Sequence, residues 1–203
     1  MSNRYYETYQ KHYAELQQIM EKYKGHLGEA KKLKGAVAAN LLKHEIEAYL
    51  MKNNKPIKVS SVNSYVAGSK YEYDLLLVKK DAIPFMELVY DPDKVIAIIE
   101  SKVNGLFDVD AETNGIANAV NRAREINPNI RFGYITISEN VPVHEYNKNG
   151  TSTVKHWELT EQYINEKIKG LNAIYAVTLR QGKKLCDEGS NKEFSMFLDN
   201  LIN

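Results

Sequence analysis

The sequence predicts an α/β fold, in which helices flank a central mixed β-sheet and an N-terminal helical extension precedes it. The first 53 residues carry apolar side chains at three- and four-residue spacing, which is typical of amphipathic helices. Shorter segments rich in β-branched and aromatic residues then predict four strands, at 57–67, 71–80, 94–103 and 130–138. A helical pattern at 110–126 separates the third strand from the fourth. Helix, three strands, helix and strand in succession favour a mixed sheet.

Two helices are predicted before the first strand. The first spans 3–24, with tyrosines along one face, and Gly25 and Gly28 end it. The second spans 35–53 and ends before Pro56. We expect residues 1–34 to form the extension and residues 35–203 to form one α/β domain.

The connections and the C-terminal part complete this prediction. The segment 81–93 contains two prolines and predicts a loop. The polar stretch 139–153 predicts an irregular, substrate-facing loop. A helix at 160–169, a strand at 173–179 and a last helix at 191–202 follow.

Composition limits the class of protein. With 203 residues, 43% hydrophobic and 26% charged, the chain is expected to be one ordinary globular domain. It has no apolar run of membrane-spanning length and no N-terminal signal segment, so we expect a cytoplasmic protein. The start at Met1 and the predicted helix at the C-terminus favour a complete short protein over a domain excised from a larger enzyme. Cys186 is the only cysteine, which excludes an intramolecular disulfide and a multi-cysteine zinc site. No phosphate-binding G-x-x-x-x-G-K-[ST] sequence is present, which excludes a self-contained P-loop motor.

Charged residues interrupt two strands that are otherwise apolar. Asp74 lies inside the second strand, and Glu100-Ser101-Lys102 ends the third. Because residues i and i+2 of a strand point to one face, Glu100 and Lys102 project together. Burying such charges is costly unless they are paired or hold a metal ion. A surface ion pair between Glu100 and Lys102 is the simpler alternative.

The pattern of Asp74 followed by Glu100-Ser101-Lys102 resembles the PD-(D/E)xK nuclease superfamily, with Tyr73 at the position of its nominal proline. The predicted order of elements is also that of the common core of this restriction-endonuclease-like fold. The resemblance covers about residues 35–138. It implies a metal-dependent nuclease in which Asp74 and Glu100 bind Mg²⁺, or Mn²⁺ in its place. The Ser101 carbonyl is then an additional ligand, and Lys102 activates the attacking water.

The superfamily often adds a glutamate from the helix before the first core strand. Glu45 lies within the apolar stripe of the predicted second helix, where an unpaired acid is costly, and is the candidate for this role. In some relatives a Lys-Gly pair is followed by this glutamate four residues after the Gly. Lys34-Gly35 leads instead to Ala39, and by that alignment the helix acid is absent.

Three basic residues are candidates for contacts with nucleic acid. Lys34 belongs to a lysine-rich strip between 22 and 34, which is equally well explained as a solvated helix face. Arg122 and Arg124 lie on the helix after the E-x-K strand, which in this fold lies near the scissile phosphate. The net charge of +1 argues neither for nor against such a partner.

The function predicted from these features is that of a Mg²⁺-dependent endodeoxyribonuclease of the restriction or phage-defence type. A homodimer is expected, because cutting two strands requires two sites. The sequence leaves RNA open as the substrate. The alternative is a catalytically inactive nuclease-fold module that binds nucleic acid within a larger defence or repair complex.

Overall fold

A five-stranded mixed sheet forms the centre of the described structure. In their order across the sheet, the strands are β1 (Ile57–Val59), β4 (Leu75–Lys79), β6 (Val95–Lys102), β7 (Arg131–Thr136) and β10 (Ile174–Thr178). β1 and β6 both run antiparallel to β4, whereas β6, β7 and β10 are parallel to one another.

Helices and smaller sheets surround the central sheet. The structure is a computed structural model, which describes residues 11, 14, 15, 18, 21, 22, 27–102, 116–136, 140–146, 152–159, 174–178 and 188–203. Its helices are α1 (Leu27–Lys52), α2 (Ile116–Ile126) and α3 (Glu188–Ile202). A three-stranded sheet consists of β2 (Ser64–Val66), β3 (Glu72–Tyr73) and β5 (Val89–Tyr90), and a hairpin of β8 (Asn140–Tyr146) and β9 (Ser152–Leu159). No helix in these described ranges is long and apolar enough to cross a membrane.

The first face of the central sheet is covered by α1 and α3. Leu42 and Ile46 of α1 pack with Leu75, Ile99 and Leu201 in one buried apolar cluster. Gly133 of β7 lies beneath α3, where a Cβ atom would approach Phe197 and Leu201 to 2.7 Å. The small size of this residue therefore sets how closely α3 approaches the sheet.

The second face is covered by α2 and the three-stranded sheet. Leu76 and Ile98 of the central strands pack there with Val120 and Ala123 of α2 and with Tyr73 of β3. The confirmed prediction is thus an α/β fold with a mixed sheet between helices. The order α1, β1, β4, β6, α2, β7 is also the order that the superfamily resemblance implies.

Several predicted boundaries are wrong. α1 begins at Leu27, next to Gly28, and continues through Gly35, although a glycine costs about 1 kcal/mol in a helix interior. The proposed boundary between residues 34 and 35 falls inside this helix, and the division into domains stays a prediction. The predicted helix over 3–24 is described only at six helical positions between 11 and 22.

The first two predicted strands are each divided between two sheets. The segment 57–67 splits into β1 and β2, because Asn63 adopts a left-handed conformation with φ of 60°. The buried Ser60 hydroxyl satisfies the Leu76 N–H across this break at 2.9 Å. The segment 71–80 splits at Asp74 into β3 and β4.

Two predicted loops contain regular structure. The segment 139–153 includes β8 and the start of β9, which pair antiparallel with each other. The segment 81–93 includes β5 and the beginning of a 3₁₀ turn, Pro92–Lys94. The predicted helix at 160–169 and residues 110–115 lie outside the described residues. The strand at 173–179 and the helix at 191–202 are confirmed as β10 and α3.

Candidate active site

Asp74 lies at the point where the chain leaves the central sheet. β4 pairs with β6 through Leu75 opposite Ile99, and the preceding residues, 72–73, pair with β2 instead. The Asp74 carboxylate replaces the lost ladder partner, because its Oδ2 accepts a hydrogen bond from the Ser101 backbone N–H at 2.7 Å. This bond fixes the half-buried carboxylate against the E-x-K segment.

Glu100 lies on the second face of the sheet. It follows Ile98, which is buried on that face, by two residues, and it pairs in register with Tyr134 of β7. One further step of the β4–β6 register places Asp74 opposite Glu100. The two half-buried carboxylates therefore occupy neighbouring positions at one end of the sheet.

Ser101 contributes its backbone to the same place. Its side-chain position alternates to the first face, where its register partner Ile135 is buried. The N–H and C=O of a residue in an antiparallel pair point to the same edge of the strand. The Ser101 carbonyl is consequently directed to the side of β6 on which Asp74 lies.

The described residues contain no group of three or more His, Cys, Asp or Glu side chains placed to hold a metal ion. Two neighbouring carboxylates nevertheless fit Mg²⁺, which usually takes one or two carboxylates and completes its shell with water and substrate phosphate. The donor set of Asp74, Glu100 and the Ser101 carbonyl consists of oxygen atoms alone, as a hard cation requires.

Three further predicted site residues, Lys102, Glu45 and Lys34, lie on β6 and α1. Lys102 is the last residue of β6, in register with Thr136, and its side chain lies outside the described part of the chain. Glu45 is half-buried on α1, which packs on the first face, so the sheet lies between α1 and the face of Glu100. Lys34 also lies on α1, and its side chain is not described.

Tyr73 connects the acid pair to α2. This buried tyrosine packs on the second face, and its hydroxyl lies 2.9 Å from the Ser69 hydroxyl and 3.4 Å from the Ala119 carbonyl oxygen. Burial raises the pKa of Tyr73, the Ser69 bond lowers it, and the charge of Glu100 raises it further. The phenol therefore stays protonated beside Glu100.

A polar cleft of about 500 Å³ opens on α2 beyond Tyr73. Arg122 lies in its wall, where the guanidinium donates to the Gly68 carbonyl at 2.9 Å and to the Glu125 carboxylate at 3.0 Å. Arg124 is half-buried and does not line the cleft. The remaining lining residues are Lys70, Tyr71, Asn118 and Asn121.

Lys70 and Tyr71 were not recognised as candidates from sequence. The Lys70 ammonium lies 5.5 Å from the centre of the Tyr71 ring, so a cation and an aromatic surface occur together at the cleft. The only local signal is their position directly after the turn at Gly68, which has φ of 85°, and before the Asp74 strand.

Comparisons with known proteins give distant structural likenesses. No protein-family model matches the sequence, and no curated protein matches it. NucC from E. coli in its cAAA-bound form is 11% identical, with a TM-score of 0.40, and the match covers 93% of this chain and 96% of that one. NucC from P. aeruginosa, also cAAA-bound, is 11% identical with a TM-score of 0.39, covering 94% and 97%.

A third solved structure is a complex of McrB AAA+ hexamers with bound McrC from Thermococcus gammatolerans. The matched chain is 14% identical with a TM-score of 0.35, and the match covers 80% of this chain but 33% of that chain. Likenesses at this level carry no functional assignment.

Proposed function

We propose that the protein is a Mg²⁺-dependent endonuclease that hydrolyses DNA phosphodiester bonds at Asp74 and Glu100, in the service of restriction or phage defence. The observation that carries the proposal is the 2.7 Å hydrogen bond from the Ser101 N–H to Asp74. It links the aspartate strand to the E-x-K strand at the position where the sequence motif requires both carboxylates.

In this proposal Asp74, Glu100 and the Ser101 carbonyl would hold Mg²⁺, which would supply Lewis-acid polarisation of the scissile phosphate and a bound water of lowered pKa. Lys102 projects to the face of Glu100 by strand alternation, where it orients that water and offsets charge in the transition state. Glu45 lies on α1, whose apolar stripe packs on the first face, and its role as an additional acid stays a prediction. The Arg122 cleft lies on the same face as Glu100 and supplies contacts for the flanking nucleic acid.

The test incubates the protein with supercoiled duplex DNA, single-stranded DNA and RNA, each with Mg²⁺, Mn²⁺ or EDTA. We expect cleavage of duplex DNA with either metal and none with EDTA. Cleavage of RNA alone would mean that RNA, and not DNA, is the substrate. Cleavage that persists in EDTA would contradict the metal-dependent mechanism.

Asp74→Asn is the informative variant, because the asparagine carbonyl still accepts the Ser101 N–H while the negative charge is lost. We expect unchanged folding and a loss of cleavage of at least about 100-fold. Asp93→Asn, at an exposed aspartate in the 3₁₀ turn, is the matched control and should retain activity.

Calorimetric titration with Mg²⁺ separates the enzyme from the inactive binding module. The enzyme requires a metal site that disappears in both Asp74→Asn and Glu100→Gln. A protein that binds DNA but shows no such site is the non-catalytic alternative.

A further inference from the structure

The connection between β4 and β5 exposes an unusual amount of apolar surface. Ile83, Phe85 and Met86 are 89%, 72% and 76% exposed, and Leu88 is 42% exposed. These four side chains fall within six consecutive residues, and the whole protrusion at 81–90 is here called the apolar hairpin. Exposed apolar clusters of this kind mark interaction surfaces.

The tip of the apolar hairpin is strained. Met86 and Glu87 have φ of 47° and 64°, a left-handed conformation that two-residue turns normally reserve for Asn and Gly. Hydrogen bonds hold this conformation, since Leu88 N–H donates to the Phe85 carbonyl at 3.2 Å and Phe85 N–H to the Val89 carbonyl at 2.8 Å. A strained turn presenting Phe85 and Met86 to solvent is consistent with a contact made by those side chains.

A cleft of about 520 Å³ lies beside the base of the hairpin. It is formed by the end of α1 and by the edge strand β1, and its apolar wall contains Leu50, Met51, Pro56, Ile57 and Val59. Met51 is 79% exposed there. Lys58 of the cleft donates to the Ala82 carbonyl at 2.5 Å, which fixes the cleft next to the hairpin.

The two surfaces also differ in charge. Lys55, Lys58 and Lys80 line the cleft with a single acid, Glu47. The hairpin carries Asp81 and Glu87 and no basic residue. Asp81 is already paired with Lys94 at 2.6 Å, so Glu87 at the tip is the hairpin charge available to a partner.

We propose that the apolar hairpin of one copy inserts into this cleft of a second copy of the same chain. The chain itself carries an apolar, acidic protrusion and an apolar, basic cleft side by side. A two-fold axis between two copies therefore lets both insertions form at once and closes the assembly as a dimer.

The two surfaces lie at different distances from the acid pair. The cleft lies at the Lys80 end of β4, which is six residues, or about 20 Å, from Asp74. The hairpin returns beside β2, where the Tyr65 N–H donates to the Leu88 carbonyl at 2.9 Å, and Tyr65 pairs with Glu72, two residues before Asp74. The proposed insertion is measured by molar mass, so its failure is distinguishable from a failure of the proposed cleavage chemistry.

The test measures molar mass by light scattering and sedimentation from about 1 to about 100 μM protein, the range over which micromolar dimers dissociate. We expect the wild type to approach twice the 23.2 kDa of one chain. Phe85→Asp should weaken the dimer roughly 100-fold, the effect of removing a central aromatic anchor. Met51→Asp should weaken it in the same direction from the cleft side.

Met196→Asp is the matched control, since Met196 is 53% exposed on α3 outside both surfaces. It should leave the mass unchanged, as should Asp74→Asn. A wild type that is monomeric at every concentration overturns the proposal. The hairpin would then be covered by another segment of the chain or by a different protein. A dimer that survives both Phe85→Asp and Met51→Asp also overturns it.

A charge exchange tests the pairing without relying on the stability of the apolar variants. Glu87→Lys and Lys80→Glu should each weaken the homodimer, and an equimolar mixture of the two should restore a dimer. In the mixed dimer, the substituted position 87 of one chain meets the substituted position 80 of the other. The second contact joins the unchanged Glu87 and Lys80, so both contacts pair opposite charges. Failure of the mixture to exceed either variant alone contradicts the reciprocal insertion.

Discussion

The two faces of the central sheet bury different chemistry. The first face packs aliphatic side chains of α1 and α3 against Leu75, Leu77, Ala97 and Ile99. The second face buries a similar apolar cluster but ends in Asp74 and Glu100, with Tyr73 between them and α2. The first face thus stabilises the fold, and the second face supplies the groups that suit metal binding and hydrolysis.

Strand β6 contributes both to the apolar core and to the candidate site. In β6, alternate residues point to opposite faces, so Ile99 lies in the first cluster and Ile98 in the second. The same alternation continues into Glu100 and Ser101, beyond the antiparallel β4 partner. The chemistry can therefore lie on one face without disturbing the other.

The largest effect is expected on the second face, where two variants separate metal binding from water activation. Glu100→Gln should abolish both cleavage and the Mg²⁺ site. Lys102→Ala should keep the Mg²⁺ site and lower the cleavage rate by about 10²–10⁴-fold, the usual contribution of a proton-transfer group. Calorimetry and single-turnover cleavage measure the two properties, and equal metal loss in both variants would contradict the division of roles.

On the first face, Gly133→Ala should lower the free energy of unfolding by about 1–3 kcal/mol, because the new methyl group overlaps Phe197 and Leu201. Cleavage by the folded fraction should be unchanged. Gly35→Ala is the control, since its Cβ meets nothing within 4 Å, and it should stabilise α1 by about 0.5–1 kcal/mol. Urea denaturation measures both, and a stable Gly133→Ala protein would show that α3 can move away from the sheet.

At the polar cleft, Arg122→Gln should weaken DNA binding about 10-fold and reduce the salt dependence by about one phosphate contact. Binding isotherms at several salt concentrations measure this. Lys79→Gln, at the opposite end of β4, is the comparison and should leave the slope unchanged. An identical change in both variants would indicate that the whole surface, and not the cleft, attracts DNA.

The smallest effect is expected at the bond between α1 and α3. The Tyr49 hydroxyl donates to Asp199 at 2.6 Å, so Tyr49→Phe should cost about 1 kcal/mol. Burial, followed by this hydrogen bond, raises the pKa of Tyr49 from 10.0 to about 12. The folded state therefore keeps a proton that the unfolded chain releases.

The resulting stability is complete below the unfolded pKa and is lost as the pH rises from about 10 to about 12. Denaturation at pH 9 and pH 11 should show a steeper decline for the wild type than for Tyr49→Phe. Parallel declines would mean that this tyrosine does not contribute to alkaline unfolding.

Features of the fold that depend on local sequence patterns were predictable, whereas features that depend on contacts between distant residues were not. The strands around Asp74 and Glu100 were predictable, because β-branched runs and a fixed E-x-K spacing are local patterns. The split of the chain at Asn63 and Asp74 was not, since it depends on long-range hydrogen bonds, from the Leu76 N–H to the Ser60 hydroxyl and from the Ser101 N–H to the Asp74 carboxylate. The hairpin of β8 and β9 was not predicted, because the turn-forming residues Asn147, Asn149 and Gly150 in the segment 139–153 favour a loop.

The candidate site divides in the same way. The sequence by itself determined the acid pair, its spacing and the shared face of Glu100 and Lys102, because alternation along a strand requires no tertiary information. Only the tertiary structure decided that α1, the helix of Glu45, packs on the first face, that Arg122 rather than Arg124 borders a cleft, and that an apolar hairpin lies beside an apolar cleft. Those facts depend on which elements meet in space, and helix and strand periodicities do not specify the partners of an element.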